Sequence, residues 1–244
     1  MIEYDFVVVG TGVSGLTFAL EASKHGSVAV ITKRASENSN TAWAQGGICC
    51  VADDEDSFES HIADTVDAGA GLCDHDVVKT IVESAPSAIE KMVNIGVQFD
   101  KNSSGKYELG KEGGHSQRRV LHSKDTTGKE ISEKLIYSAK QSENIEIFEH
   151  HFAIDVITTE KLGISGTNEV AGIYVLNEST GEILTFRSDK VVLCTGGCGR
   201  VYLYTTNPNI ATGDGLAMAY RACLLYTSDA ADDMQCVDLG GRRI

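Results

Sequence analysis

The sequence predicts an α/β fold with an additional antiparallel β segment, and three observations support it. An apolar strand, Phe6–Val9, runs into a Gly-x-Gly-x-x-Gly sequence that opens a helical pattern. A second apolar strand, Val28–Ile31, follows and completes a βαβ unit. Over residues 145–187 the hydrophobic period changes to two, which is typical of antiparallel strands. Together these patterns predict a Rossmann-like domain.

The glycine-rich turn predicts a dinucleotide-binding site. In such a turn Gly10 allows the tight bend, Gly12 leaves room for a pyrophosphate, and Gly15 lets helix and strand pack closely. The N–H groups and the positive dipole end at the start of the helix then face the phosphates. The alternative is a glycine-rich turn in an α/β domain that binds no dinucleotide.

The remaining patterns predict further elements. A polar loop spans residues 35–47, and loops of that length are usually functional. We expect Asp56 to cap a helix, and a second helix from about Asp76 to be interrupted by Pro86. A strand over residues 190–194 leads into Gly196 and Gly197, which predicts a second point where the sheet approaches the cofactor.

Composition excludes several classes of partner. The 244 residues carry a net charge of −14, which argues against nucleic acid or an anionic membrane as partner. No run of eighteen apolar residues predicts a membrane span, and no leader peptide is expected before the first strand. The seven cysteines form no Cys-x-x-Cys pair, so we expect reduced thiols, no metal site and a cytoplasmic location.

Longer motifs go beyond generic dinucleotide binding. The sequence resembles the L-aspartate oxidases, which are soluble relatives of the succinate dehydrogenase and fumarate reductase flavoproteins. The resemblance runs from about residue 5 to residue 222 and implies an FAD-binding domain of that type, with FAD as the cofactor. The motifs that carry it lie at residues 40–48, 112–116, 119–122, 205–208 and 213–215.

The resemblance also implies which residues hold FAD. A basic residue, Lys33, stands where an NAD enzyme normally carries an acidic one. Asn40 occupies the position at which the membrane-bound relatives carry a histidine linked to the flavin, so we expect non-covalent FAD. In the glycine-rich turn, the resemblance implies that Gly10, Thr11, Gly12, Val13, Ser14 and Gly15 hold the pyrophosphate. Beyond the turn, the implied cofactor residues are Lys33, Asn40, Thr41, Ala42, Trp43, Ala44, Gln45, Gly46, Gly47, Ala153, Gly196, Gly197 and Asp214.

By the same resemblance Glu112 sets the substrate. A carboxylate complements the ammonium of L-aspartate, whereas relatives acting on succinate or fumarate have a neutral residue there. His115, Ser116 and Arg119 bind a substrate carboxylate or shape the loop, and His122 is expected to be structural. The alternative for Glu112 is an ordinary exposed loop residue.

The implied reaction is oxidation of L-aspartate to iminosuccinate, with dioxygen or fumarate as electron acceptor and hand-over of the product to quinolinate synthase. In the family, the catalytic groups lie on a capping domain that would follow residue 222. We therefore expect residues 1–222 to be an incomplete FAD-binding domain that is inactive alone. Residues 223–244 continue no helical face, and we expect a non-native tail. A fumarate reductase-type flavoprotein, a non-catalytic fragment and an NAD dehydrogenase remain as alternatives.

Overall fold

The computed structural model describes residues 1–222, so the tail expected at 223–244 lies outside the described residues. Two units divide the chain: one holds residues 1–43 and those from 135 onward, the other residues 44–134. The elements, in chain order, are β1 (Ile2–Glu3), β2 (Phe6–Val9), α1 (Val13–Ala22), β3 (Val28–Ile31), α2 (Asn40–Trp43), β4 (Ile48–Cys49), α3 (Phe58–Ala68), α4 (His75–Asn94), β5 (Leu109–Gly110), β6 (Val120–Leu121), α5 (Thr127–Gln141), β7 (Ile145–Phe148), β8 (His151–Thr158), β9 (Val170–Asn177), β10 (Ile183–Arg187), β11 (Val191–Leu193), a 3-10 turn (Gly199–Val201) and α6 (Asp214–Arg221).

A parallel sheet with the strand order β11-β2-β3-β7 forms the centre of the first unit. Strand β3 is buried along its whole length, as expected for a parallel strand that is covered on both faces. Helix α1 connects β2 to β3 and packs against both strands. The predicted βαβ unit is confirmed at both of its strands.

A second sheet in the same unit has the order β1-β10-β9-β8, in which only the β1–β10 pair is parallel. Strands β8 to β10 are the predicted antiparallel segment, but Ile145–Phe148, where that prediction began, is β7 of the parallel sheet because it pairs with β3. Phe186 of β10 is fully buried and meets the ring of Phe148 edge-on, with centroids 4.9 Å apart. The ring of Tyr4 stacks on Phe186 at 6.4 Å and meets Phe148 edge-on at 6.0 Å. The aromatic contacts therefore link the two sheets of this unit through one core.

The second unit contains the three-stranded sheet β4-β6-β5 and the packed helix pair α3–α4. The cap of α3 is Ser57, whose hydroxyl accepts the N–H of Ser60, so the prediction of Asp56 was wrong. The interruption at Pro86 was also wrong, because α4 is one continuous helix. Its buried face continues on both sides of the proline, and this packing outweighs the cost of about 3 kcal/mol that an interior proline imposes.

Two further observations concern the helices. The polar loop predicted over residues 35–47 contains the short helix α2, at whose start the Ser39 hydroxyl accepts the N–H of Ala42. None of the described helices is long and apolar enough to cross a membrane.

The aromatic core allows a direct test of the packing. Phe186→Ala removes a fully buried ring and should destabilise the fold by about 3–5 kcal/mol. Tyr174 lies on the neighbouring strand with 38% of its surface exposed, and Tyr174→Ala should cost at most about 1 kcal/mol. Urea unfolding followed by circular dichroism measures both, and equal losses would contradict this account of the core.

Candidate functional site

A cleft of about 350 Å³ lies in the first unit, where β2, β3 and β11 end. The carboxyl ends of parallel strands are the usual place for ligands in open α/β sheets. Eleven of the residues implied by the sequence line this cleft, and they come from segments up to two hundred residues apart. They are Gly10, Thr11, Gly12, Val13, Ser14, Lys33, Asn40, Thr41, Ala153, Gly196 and Asp214.

The three glycines of the turn differ in their surroundings. A Cβ at Gly10, where φ is +116°, would lie 2.1 Å from the carbonyl oxygen of Cys194. A Cβ at Gly15 would lie 2.1 Å from the carbonyl oxygen of Gly10. At Gly12 the nearest atom, the Thr41 hydroxyl oxygen, is 3.4 Å away. Gly10 and Gly15 are thus required by packing, whereas the space beside Gly12 is free for a ligand.

The start of α1 suits an anionic ligand. Gly12 is the N-cap residue and provides no side-chain cap. The hydroxyl of Thr41 accepts the N–H of Val13 at 3.0 Å and so joins the α2 segment to this turn. Unsatisfied N–H groups and the positive end of the helix dipole attract phosphate at such a terminus.

Lys33 and Asp214 form an ion pair in the cleft. The ammonium of Lys33 also donates to the Thr212 hydroxyl at 2.7 Å and lies 5.9 Å from the centre of the Phe152 ring. Both charged side chains are about one-fifth exposed. Lys33 and Asp214, which the sequence implied separately, therefore act together. Their ion pair connects the end of β3 to the start of α6.

Asn40 provides a test of whether these residues fit FAD. Its side-chain oxygen is buried and accepts no hydrogen bond from any described residue. Such an atom is costly unless a donor reaches it. The ribityl and ribose hydroxyls of FAD are donors, and the cleft combines this acceptor with the open glycine turn. The residues present therefore fit the cofactor.

Eight implied cofactor residues do not line the cleft, and four of them belong to the first unit. Gly15 lies behind the turn, where it packs as described above, and Trp43 is 62% exposed. The carbonyl of Gly197 accepts the N–H of Gly213 at 3.3 Å, so this glycine joins the second glycine turn to the start of α6. Ala42 lies in α2.

Several lining residues were missed by the sequence reasoning. Cys194 and Thr195 follow β11 directly, and His151 and Phe152 begin β8. The sulfur of Cys194 lies 3.5 Å from the Ser14 hydroxyl, and burial raises the pKa of this thiol. The residues that directly follow the predicted strands at 28–31 and 190–194 are Thr32 and Thr195, so this rule could have found both. The remaining missed lining residues are Val9, Ile31, Asn38, Ser39, Leu193, Ile210, Ala211 and Met218.

The second unit holds the other implied site residues. In the segment Ala44, Gln45, Gly46 and Gly47, a Cβ at Gly47 would lie 2.3 Å from the carbonyl oxygen of Leu121, so the segment packs tightly against β6. A Cβ at Gly46 would lie 3.4 Å from a carboxylate oxygen of Glu112. The structure therefore brings Glu112, which is exposed, close to the glycine pair.

Arg119 is fully buried and paired with two carboxylates. Its guanidinium donates twice to Asp56, at 2.7 and 2.8 Å, and once to Asp64 at 2.6 Å. Burial alone would lower the pKa of Arg119, but its bonds to Asp56 and Asp64 outweigh burial and raise it. Of the two roles expected for Arg119, these contacts favour shaping the loop.

Ser116 and His115 complete this network. The backbone N–H and the hydroxyl of Ser116 both donate to Asp64, at 2.7 and 2.8 Å. These bonds, the backbone one first, hold the pKa of Asp64 at about 2. His115 lies 3.3 Å from the sulfur of Cys49 and 3.5 Å from a guanidinium nitrogen of Arg119. His122 contacts Asp100, at 3.1 Å.

Curated relatives share sequence with most of this chain. The L-aspartate oxidase 2-a, chloroplastic, of Nicotiana tabacum is 45% identical over 220 residues, which is 90% of this chain and 34% of the relative. The L-aspartate oxidase of Yersinia pestis is 45% identical over 222 residues, 89% of this chain and 42% of the relative. The chain therefore spans between a third and a half of the length of these relatives.

Solved structures agree with the fold. The E. coli quinol fumarate reductase FrdA superimposes with a TM-score of 0.85 and 33% identity, over 90% of this chain and 37% of the other. The Mycobacterium smegmatis Sdh1 complex in the apo form superimposes with a TM-score of 0.82 and 28% identity, over 91% of this chain and 39% of the other. The fold is therefore the one expected, with parallel and antiparallel sheets of the fumarate reductase and succinate dehydrogenase type.

The family model described as FAD binding domain matches residues 5–237. This match covers the glycine turn, Lys33, Asn40 and Asp214 together, and FAD is the cofactor that the cleft fits. The chain belongs to the FAD binding domain family.

Proposed function

We propose that this chain is part of an FAD-dependent L-aspartate oxidase, which converts L-aspartate to iminosuccinate. The proposal rests on relatives of that name at about 45% identity. The single structural observation that carries it is the carboxylate of Glu112 beside Gly46, within the segment that the resemblance assigns to the flavin.

In this proposal each unit has its own role. FAD, when bound, supplies the electron acceptor for the oxidation. The glycine turn and α1 hold the pyrophosphate, and the Lys33–Asp214 pair and Asn40 fix the remaining polar groups. Glu112 receives the substrate ammonium through charge-assisted hydrogen bonds. The Arg119–Asp56–Asp64 group keeps the loop that carries Glu112 in place.

We also propose that FAD is held without a covalent bond. The side chain of Asn40 is an amide, which cannot form the link that a histidine forms in the membrane-bound relatives. Acid precipitation should therefore leave the flavin in the supernatant, as absorbance near 450 nm measures. Flavin that stays with the precipitated protein would contradict this.

The partners of the reaction belong to the same proposal. L-Aspartate is the substrate, dioxygen or fumarate accepts the electrons, and quinolinate synthase receives the product. We propose a cytoplasmic location, whereas the tobacco relative is named chloroplastic. Cell fractionation distinguishes the two locations, and co-purification tests the hand-over.

A fumarate reductase-type flavoprotein is the second candidate, since FrdA is 33% identical over 90% of this chain. The two candidates differ in whether the substrate carries an amine. Glu112 favours the amine-bearing substrate, because a carboxylate beside the uncharged methylene of succinate would gain nothing.

Gly12→Ala tests the placement of the cofactor. A methyl group fits the protein itself, with 3.4 Å to its nearest neighbour, but fills the approach to the pyrophosphate. We expect FAD affinity to fall by about 10- to 100-fold, as expected for lost bonds to a charged group, with the melting temperature almost unchanged. Fluorescence titration with FAD measures the affinity, and Thr17→Ala on the exposed face of α1 is the matched control.

Gly10→Ala should behave differently, because its methyl group would overlap the Cys194 carbonyl. Gly10→Ala should therefore lower the melting temperature of the protein even when no FAD is present. The placement is wrong if Gly12→Ala binds FAD as well as the parent does.

Glu112→Gln tests the substrate in the longer protein. Losing a charge-assisted bond of about 1.5–3 kcal/mol should lower kcat/KM for L-aspartate by about 10- to 150-fold. Fumarate reduction should change little, because fumarate has no ammonium. Steady-state assays with each substrate measure the two effects.

Glu108→Gln, an exposed carboxylate in the same segment, is the control and should leave both activities unchanged. Equal loss of both activities in Glu112→Gln would remove the proposed role of Glu112 in substrate choice.

A further inference from the structure

Three side chains in the second unit converge at a point that the proposed oxidase reaction does not use. They are Cys49 of β4, His61 of α3 and His115 of the loop before β6. One ligand atom from each lies within 4.8 Å of the other two. These residues are far apart in the sequence, which is why the cysteine spacing alone predicted no metal site.

We propose that Cys49, His61 and His115 bind a soft divalent cation of the Zn²⁺ class. One thiolate and two imidazoles are a donor set that Zn²⁺ accepts, with a fourth position left for water. Two ligands on one zinc ion lie about 3.5 Å apart, given Zn–S and Zn–N bonds of about 2.3 and 2.1 Å. The sulfur of Cys49 and Nε2 of His115 are already 3.3 Å apart.

His61 supplies an independent observation. It is only 6% exposed, and its Nδ1 has no hydrogen-bond partner among the described residues. A buried, unpartnered nitrogen is costly and calls for an explanation such as an ion. Its ring meets that of His115 edge-on, with centroids 5.8 Å apart, so the two imidazoles face one region.

The surrounding charges favour a cation. At Cys49 the negative charge of Glu112 acts more strongly than the guanidinium of Arg119, and at His61 the charges of Asp56 and Asp64 act against that of Arg119. The two aspartates pair with Arg119 directly, so its charge is compensated where it approaches His115. The negative charge of Glu112 also acts on the sulfur of Cys49.

Binding requires proton release but no redox change. The S–H bond of Cys49 breaks, its proton leaves to solvent, and the sulfur lone pair forms the bond to the metal. His115 must present a lone pair at Nε2, so its neutral ring carries its proton at Nδ1 when the metal is bound. The contact of Nδ1 with Arg119 at 3.5 Å, the longest in that network, is given up.

The test is titration of the chelator-treated chain with Co²⁺, a coloured substitute for Zn²⁺, and with Zn²⁺ itself in dialysis. We expect one equivalent to bind, with a sulfur-to-cobalt charge-transfer band. Cys49→Ala should abolish the band, and His61→Ala should weaken binding by about 100-fold or more, since even outer-shell changes cost about 10- to 100-fold. Cys73→Ala, another free thiol of the same unit, should bind as the parent does.

A second measurement needs no variant and so does not depend on variant folding. Iodoacetamide should modify Cys49 several times more slowly with Zn²⁺ than without it, as mass spectrometry of the peptide shows. The proposal is overturned if Cys49 reacts equally fast in both conditions. It is also overturned if the bound metal is unaffected by Cys49→Ala and His61→Ala, which would indicate an adventitious ion only.

Discussion

The close approach of three backbone segments is the constraint on which the first unit depends. The carbonyl of Cys194 occupies the place of a side chain at Gly10, and the carbonyl of Gly10 does the same at Gly15. Strands β2 and β11 and helix α1 meet there with no room for a Cβ. The close contacts lie at Gly10 and Gly15, on the packed side of the turn. The space beside Gly12 is open, and the start of α1 points into it. Packing and cofactor binding are therefore two consequences of one arrangement of glycines.

Local patterns predicted most elements of this fold because the physics behind them is local. The apolar runs of β2 and β3, the period of two in β8 to β10 and the glycine turn each follow from neighbouring residues. The errors arose where packing decides. Pro86 stays inside α4 because the helix buries the same face before and after it, and Ser57 displaces Asp56 as the cap because Asp56 pairs with Arg119.

Long-range pairs were beyond the reach of the sequence. Lys33 and Asp214 were each implied as cofactor residues, but their pairing across 181 positions is visible only in the structure. Arg119 stands in a polar segment that predicts exposure, yet it is completely buried, because Asp56 and Asp64 compensate its charge. The convergence of Cys49, His61 and His115 depends in the same way on how β4, α3 and the following loop pack within the second unit.

The central claim is that the cleft at the carboxyl ends of β2, β3 and β11 holds FAD. Hydrogen exchange followed by mass spectrometry, with and without added FAD, tests this most directly. The account predicts that FAD slows exchange in peptides covering Gly10 to Gly15 and Asn40, while peptides from strand β9 of the second sheet are unchanged. Protection that is absent from the glycine turn, or equal over the whole chain, would contradict it.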